Sequence, residues 1–377
     1  MVAVDRSFGH DGIPIPLVAA VGTAVAGHAY SQNDVLDLFG ISDPKVRSLF
    51  GKSGIRRRFL TLPSGGPDGR LAEESQGDLL RKHRRIVVDM GVRAVGVCLA
   101  RACLRPVDIG YLVCVTTTGF LTPGLSALLV REMDLAPDVQ RLDVVGMGCN
   151  AAMNGLAAAR AWCVANPGRV AVLVCAEACS AAYVFDSTMR TAVVNSLFGD
   201  GAAAVALTAP VVGAAVPDSA GRGRGGGLAP YLLSAASQVI TSAVDAMRYD
   251  WDDAQGRFSF FLDRQIPYVI GAHVEAVVDR LLSGVGVRRS AVRHWLVHAG
   301  GRKVIDAVRV NLRLSRHDMR HTVAVLRDYG NLSSGSVLFS YERLVEEGSA
   351  RAGDYGVLMA MGPGSTIETA LIQWRWG

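Results

Sequence analysis

The chain has 377 residues, half of them hydrophobic and 19% charged, with 39 basic and 34 acidic side chains for a net charge of +5. That length and apolar content support a large core, as two domains or one double-layered unit, and the low charge excludes an extended, disordered chain. The mild basic excess carries no stripe of cations interleaved with aromatics, so it fits a small anionic substrate and not a nucleic-acid groove.

In chain order, "MVAVDRSFGHDG" (1–12) lacks the charged start and apolar stretch of a signal peptide, and no later run reaches the about 18 apolar residues a membrane helix needs. "PLVAAVGTAVAG" (16–27) reads as a buried strand ending in a glycine turn. "SQNDVLDLFGI" (31–41) is a helix with Ser31 as N-cap and Asp34 three residues on. The three- and four-residue apolar spacing over 77–102 predicts a long helix. "IGYLVCVTTTG" (109–119) is a strand running into a Thr/Gly loop, and "GLSALLVREM" (124–133) a helix. "RLDVVGMGCNAAMNGLAAARAW" (141–162) passes from an apolar run through Gly-Met-Gly and a single cysteine into an alanine-rich helix. "VAVLVCAEA" (170–178) and "GAAAVAL" (201–207) are continuous apolar strands. Such strands alternating with helices indicate an α/β architecture with sheets covered on both faces.

The stretch 209–230 is rich in Gly and Pro and poor in bulky side chains, and reads as a surface connection between an N-terminal half, 1–208, and a C-terminal half, 231–377. The order then recurs. "HWLVHAGGRKVIDAV" (294–308) is strand, glycine turn and helix; "RDYGNLSSGSVLFSYERLVEEG" (327–348) is a polar turn and an amphipathic helix; "YGVLMAMGPGSTIETALIQW" (355–374) is strand, Gly-Pro-Gly turn and strand. If the halves are duplicates, the turns before the helices at Cys149 and Asn331 face each other.

Seven cysteines, an odd number without paired C-x-x-C spacing, indicate thiols in a reducing compartment and predict a soluble cytoplasmic protein. Six of them sit inside apolar strands or helices, where packing explains them. Cys149 differs. At a helix N-terminus, unpaired N–H groups and the dipole stabilise a thiolate and draw its pKa down towards neutrality. On local context a nucleophile and a small packing residue fit equally. Of eight histidines, His298 is best placed as partner, ending the strand "WLVH" before "AGG", while His10, His28, His83 and His273 read as surface or helix positions. Asn331, before its helix, is by itself an ordinary N-cap. Three strand-to-helix turns bearing Cys, His and Asn are more than three caps.

Some patterns drop out. "GRGRGG" (221–226) has no strand before it and no helix after it, so it is no dinucleotide site. His294/His298 lie on a strand about 13 Å apart, and His317/His321 have no acidic or thiol ligand nearby, so no metal site is expected. The basic run 45–58 reads as a solvated face or a phosphate-binding patch.

"GMGCNAAMNGL", "NSLFGDGAAAVAL", "HAGGRKVIDAV", "YGNLSSGSVLFSYERL" and "GVLMAMGPGSTIETAL" together resemble type III polyketide synthases, the chalcone synthase-like homodimers, in register over nearly the whole chain. "TTTGFLTPGLSALL", "CAEACSAAYVFDSTMRTAVVNSLFGDG" and "VDAMRYDWDDAQGRFSFFLD" are similar to their bacterial branch that makes 3,5-dihydroxyphenylacetyl-CoA for the dihydroxyphenylglycine units of antibiotics. The resemblance implies a thiolase fold of two similar five-layered αβαβα halves. It implies Cys149 as nucleophile, His298 and Asn331 as donors to a malonyl-CoA thioester, and no metal or redox cofactor. Phe198 and Phe260 match gatekeeping phenylalanines, with Phe258 and Phe261 as competitors for the second position. Lys45 and Lys52 match coenzyme A phosphate sites, with Ser48 at a third position that is basic in plant relatives. Thr117, Thr118 and Ser333 match cavity-lining positions. Gly362, Pro363 and Gly364 match the end of a cyclisation loop, preceded here by Ala360 and Met361. Crotonase-type companion enzymes are implied as pathway partners.

Four other readings are weighed. Another acyl-CoA starter keeps the same machinery. A ketoacyl synthase of fatty-acid initiation shares Cys, His and Asn but takes an acyl carrier protein. A non-catalytic synthase partner usually lacks the nucleophile, which is present. A cysteine hydrolase needs water at the acyl-enzyme, which the apolar surroundings of Cys149 oppose.

Overall fold

The computed structural model describes residues 9, 12–64, 71–182, 189–211 and 227–376. His10, the GRGRGG segment and most of the Gly/Pro-rich connection lie outside the described residues.

The first half holds β1 (Leu17–Val25), β2 (His28–Ser31), α1 (Gln32–Leu38), α2 (Pro44–Gly51), β3 (Arg57–Leu60), α3 (Gln76–Ala102), β4 (Ile109–Val115), α4 (Leu125–Glu132), β5 (Gln140–Val144), α5 (Ala151–Ala165), β6 (Val170–Glu177), α6 (Met189–Asn195) and β7 (Gly201–Thr208). The second holds β8 (Leu228–Val239), β9 (Met247–Asp252), β10 (Arg257–Leu262), α7 (Ile266–Ser283), β11 (Val292–Val297), α8 (Arg302–Asn311), α9 (Arg320–Tyr329), α10 (Ser336–Glu347), β12 (Tyr355–Gly362) and β13 (Thr366–Trp376). β8 begins at Leu228, inside the stretch 209–230 that composition reads as connection, because Leu228, Ala229 and Pro230 pair with β13.

Local chemistry sets the boundaries. Ser31 caps α1 as the sequence predicts: Asp34 N donates to its Oγ at 3.1 Å, and Ser31 N donates to the Asp34 carboxylate at 2.7 Å. Ser75 and Asp78 repeat that box at the start of α3. β6 is apolar nearly throughout because helices cover both its faces, so it has no solvent side to alternate with. α9 has no counterpart in the sequence reading; it buries Thr322, Val325 and Leu326 along one side of a polar segment.

Nine strands make one sheet in the order β11-β12-β13-β8-β1-β7-β6-β4-β5. Within it a pattern occurs twice. β1-β7-β6-β4 and β8-β13-β12-β11 each run antiparallel, antiparallel, parallel. The two sets join where β1 meets β8 at Leu17 and Tyr231. α3 covers the outer face of the first set and α7 that of the second, while α5 and α10 each touch strands of both sets. The result is five layers, α/β/α/β/α, with the duplication visible in the strand order. Central α5 buries Ala151, Ala152, Met153 and Leu156, and α10 buries Val337, Leu338 and Phe339.

Candidate active site

After β5, Gly148–Asn150 form one turn of 3-10 helix that leads into α5, and Cys149 lies in it. Gly148 has φ 68°, in the left-handed region where glycine alone is unstrained. The Gly-Pro-Gly segment after β12 backs this turn. A Cβ on Gly148 would meet Pro363 Cδ at 2.3 Å, and a Cβ on Gly362 would meet Asn150 Oδ1 at 2.2 Å and Cys149 N at 3.0 Å. Gly362 and Pro363 therefore hold the backbone of the thiol's own turn.

Asn331 lies between α9 and α10. Its N–H donates to Leu197 O at 2.8 Å and its carbonyl accepts from Gly199 N at 3.0 Å, which fixes it beside Phe198. Its side-chain Oδ1 accepts from Ser333 N at 2.9 Å and Ser336 Oγ at 3.4 Å. With the oxygen held, the amide NH2 points away from them, and it makes a single long contact to Gly300 O at 3.4 Å. Gly300 follows His298, whose N–H donates to Met359 O at 2.8 Å. On the other side, Cys149 Sγ donates to Ser333 Oγ at 3.6 Å. The turn 331–333 thus touches both the Cys149 turn and the His298 turn, and the expectation that the Cys and Asn turns face each other is met.

Electrostatics correct one expectation. Burial pushes the Cys149 thiol up to about 12; the hydrogen bond with Ser333 opposes this, and the Glu177 carboxyl adds to it. The helix N-terminus does not outweigh desolvation. Burial also drives His298 down to about 3. Its Nδ1 has no protein partner among the described residues, so no carboxylate steadies an imidazolium. Each group resists charging alone.

Sequence reasoning missed Glu177, the last residue of β6, which is fully buried. Its Oε2 accepts from Thr117 N (2.9 Å), Thr118 N (3.2 Å) and Thr118 Oγ1 (3.0 Å). Its Oε1 accepts from Thr117 Oγ1 (3.0 Å), Ser334 Oγ (2.6 Å) and, at 3.4 Å, Ser333 Oγ. Burial raises its pKa, and these hydrogen bonds oppose the rise. The available signal was an acid closing an otherwise apolar strand. Thr117, Thr118 and Ser333 are therefore tied to a carboxyl from below. His83 is a helix position, as the sequence reads it, and on α3 it is fully buried, with Nε2 2.9 Å from Thr116 Oγ1 and its ring against Gly119.

Phe198 and Phe260 meet edge to face at 5.9 Å. Phe258 is exposed against Trp251, and Phe261 lies under Arg248 on the other face of the β9–β10 hairpin, so among the three phenylalanines Phe260 faces Phe198. Lys45 and Lys52 are exposed on α2 and its C-cap, on one helix side with Ser48. The structure gives them no contact with the Cys149 group. His294 lies 3.1 Å from Asp354 and His321 2.9 Å from Glu347, and neither meets a second histidine.

Two family descriptions match: "FAE1/Type III polyketide synthase-like protein" over residues 50–215 and "Chalcone and stilbene synthases, C-terminal domain" over 232–374. The 3,5-dihydroxyphenylacetyl-CoA synthase of Streptomyces toyocaensis is 63% identical, covering 96% of this chain and 90% of its own. That of Amycolatopsis orientalis is 62% identical, covering 94% and 93%. The crystal structure of 1,3,6,8-tetrahydroxynaphthalene synthase from Streptomyces coelicolor superposes with a TM-score of 0.82 at 26% identity, over 96% of this chain and all of that one.

Proposed function

The chain belongs to the type III polyketide synthases, and from that premise we propose that it joins four malonyl units into 3,5-dihydroxyphenylacetyl-CoA. It is an acyltransferase of the condensing type with a thiolase fold. In our reading, malonyl-CoA serves as starter and extender. Cys149 Sγ attacks the starter thioester, its proton passes to His298, and coenzyme A leaves with that proton as the free thiol. A second malonyl-CoA places its thioester oxygen against His298 and the Asn331 amide. Loss of carbon dioxide leaves the electron pair as an enolate, whose oxygen these donors stabilise. The enolate carbon attacks the acyl carbonyl on Cys149, the C–S bond breaks, and the chain grows by two carbons. Asparagine suits this place because it donates without adding a negative charge beside a forming anion.

The observation that carries this reading is the pinning of Asn331 Oδ1 by Ser333 and Ser336, which turns the donor end of the amide away from its anchors. Phe198 and Phe260 would flank the entry of the pantetheine arm, and Lys45 and Lys52 would meet coenzyme A phosphates. Thr117, Thr118, Ser333 and the Gly362–Pro363–Gly364 turn would shape the cavity. The chemistry calls for no resident metal or redox group. A homodimer fits the sheet: β5 is an edge strand, and Leu142, Val145, Met147 and Phe120 are exposed on it or at its end and that of parallel β4. Among the described residues no helix is long and apolar enough to cross a membrane, and we place the enzyme in the cytoplasm. Crotonase-type partners would complete dehydration and aromatisation on the way to an antibiotic building block.

The test is mass spectrometry of products from malonyl-CoA alone, beside Cys149→Ala. Dihydroxyphenylacetyl-CoA or its acid from the native chain only, with acyl adducts on Cys149, is expected. Turnover that requires an added acyl-CoA or a malonylated carrier protein overturns the substrate assignment.

A further inference from the structure

The β9–β10 hairpin carries a line of rings on one face. Its register sets Met247 opposite Leu262, Tyr249 opposite Phe260, and Trp251 opposite Phe258, and cross-strand neighbours share a face. The line runs from inside to outside: Phe260 is 9% exposed, Tyr249 41%, Trp251 and Phe258 50% each. Tyr249 packs on Phe260 at 5.1 Å, and Phe260 on Phe198 at 5.9 Å, and Phe198 is bridged to Asn331. Tyr249 is therefore one ring removed from the Phe198–Asn331 segment. Its phenol also lies within electrostatic reach of Cys149, Cys179 and Glu177.

The hydroxyls around the thiol differ in how far they are committed. Thr117, Thr118 and Ser334 donate to Glu177, and Ser333 lies between Glu177 and Cys149. The Tyr249 hydroxyl has no hydrogen-bond partner among the described residues. A poly-β-keto chain on Cys149 carries a ketone at every second carbon, and each must find a donor or remain unsatisfied in an apolar site.

We propose that the Tyr249 hydroxyl donates a hydrogen bond to a ketone oxygen of the Cys149-bound chain and so positions that chain for carbon–carbon ring closure. Tyr249 here is a substrate-positioning residue: it keeps its proton and forms no covalent bond. The competing fate of an unheld chain is lactone formation, in which an enol oxygen attacks the thioester carbonyl, the C–S bond breaks and the enol proton ends on sulfur. The inference rests on the polyketide synthase reading and names a residue that governs its product.

The test is Tyr249→Phe with malonyl-CoA, with aromatic product, lactone, malonyl-CoA consumption and Cys149 acylation measured on the same samples. We expect Cys149 still to be acylated, while the ratio of aromatic product to lactone falls about tenfold, the loss of one hydrogen bond. An unchanged ratio overturns the proposal, whether or not consumption falls. If the native chain makes a different aromatic product, the product assignment above fails and Tyr249 is still judged by that product's ratio to lactone. A native chain that makes only lactones overturns both.

Discussion

Replacing Glu177 tests whether one buried carboxyl organises the cavity floor. In Glu177→Ala, two backbone N–H groups and the hydroxyls of Thr117, Thr118 and Ser334 lose their acceptor at once. Each unsatisfied buried donor costs about 1–3 kcal/mol, hydroxyls can turn to new partners, and truncation leaves a void, so we expect a net loss of about 3–5 kcal/mol. Glu177→Gln behaves differently. The amide oxygen can take the Oε2 place and keep both N–H donors and Thr118 Oγ1, while the NH2 sits at Oε1 and Ser334 Oγ turns to accept. The amide keeps most of these contacts, so Gln should cost at most about 1–2 kcal/mol. Thermal unfolding should show Ala lower by roughly 5 °C and Gln by less than half of that, given about 2 cal/mol/K of unfolding entropy per residue. The pH dependence has a definite sign. The folded carboxyl holds its proton to higher pH than the unfolded one, so native stability falls as pH rises through that window. Glu177→Gln lacks this slope, and its deficit should shrink towards neutral pH. Equal losses for Ala and Gln, or no loss for Ala, would refute the idea that acceptance by Glu177 holds the threonine and serine turns.

Asn331→Asp places a negative charge where an enolate forms, and we expect carbon dioxide release from malonyl-CoA to fall about 10²–10³-fold with little change in KM. On the proposed mechanism His298→Gln removes the base for the buried thiol, so iodoacetamide labelling of Cys149 at neutral pH should slow about a hundredfold, as peptide mass mapping would read. His298 and His83, held by burial down to about 3 and about 4, stay neutral in the fold and charge in the unfolded chain below about 6.5. Native stability should therefore drop as pH falls from about 6.5 to 4, and urea midpoints of His298→Gln across that range should fall less steeply. Gly362→Ala puts a Cβ 2.2 Å from Asn150 Oδ1 and 3.0 Å from Cys149 N; it should cut Cys149 acylation about a hundredfold, measured by mass shift.

Elements with one strong local cause were legible in the sequence. The Ser31 capping box and the unbroken apolar runs of β4, β6 and β7 need no tertiary information. The Cys149, His298 and Asn331 turns were legible because each follows a strand or precedes a helix. α9 was not, since three of its five buried positions are the polar His321, Thr322 and Asp328. Glu177 was hidden for a different reason: a buried charge looks like a surface residue until its partners are known, and those of Glu177 lie 59 to 157 positions away in the chain. The thiol's acidity failed as an expectation because helix N-termini act locally, whereas desolvation depends on everything packed around the turn.

The duplication explains why the site lies where it does. Cys149 precedes α5 and Asn331 precedes α10, and these are the two helices of the central layer that both strand sets share. A turn on one half alone could offer a thiol or an amide donor, but not both aimed at one carbonyl. The Ser333 contact with Cys149 and the Gly362 contact with Asn150 brace a turn of the first half from the second, and the hydrogen bonds of Asn331 with Leu197 O and Gly199 N brace a turn of the second half from the first. Because the braces are backbone and small side chains, a shift of about 1 Å between halves would separate nucleophile from donors, a misplacement that typically costs about 10²-fold in rate. On the proposed mechanism, the apolar packing of α5 and α10 between the two strand sets acts on catalysis through position: it would fix the distance between a thioester on Cys149 and an enolate held by His298 and Asn331.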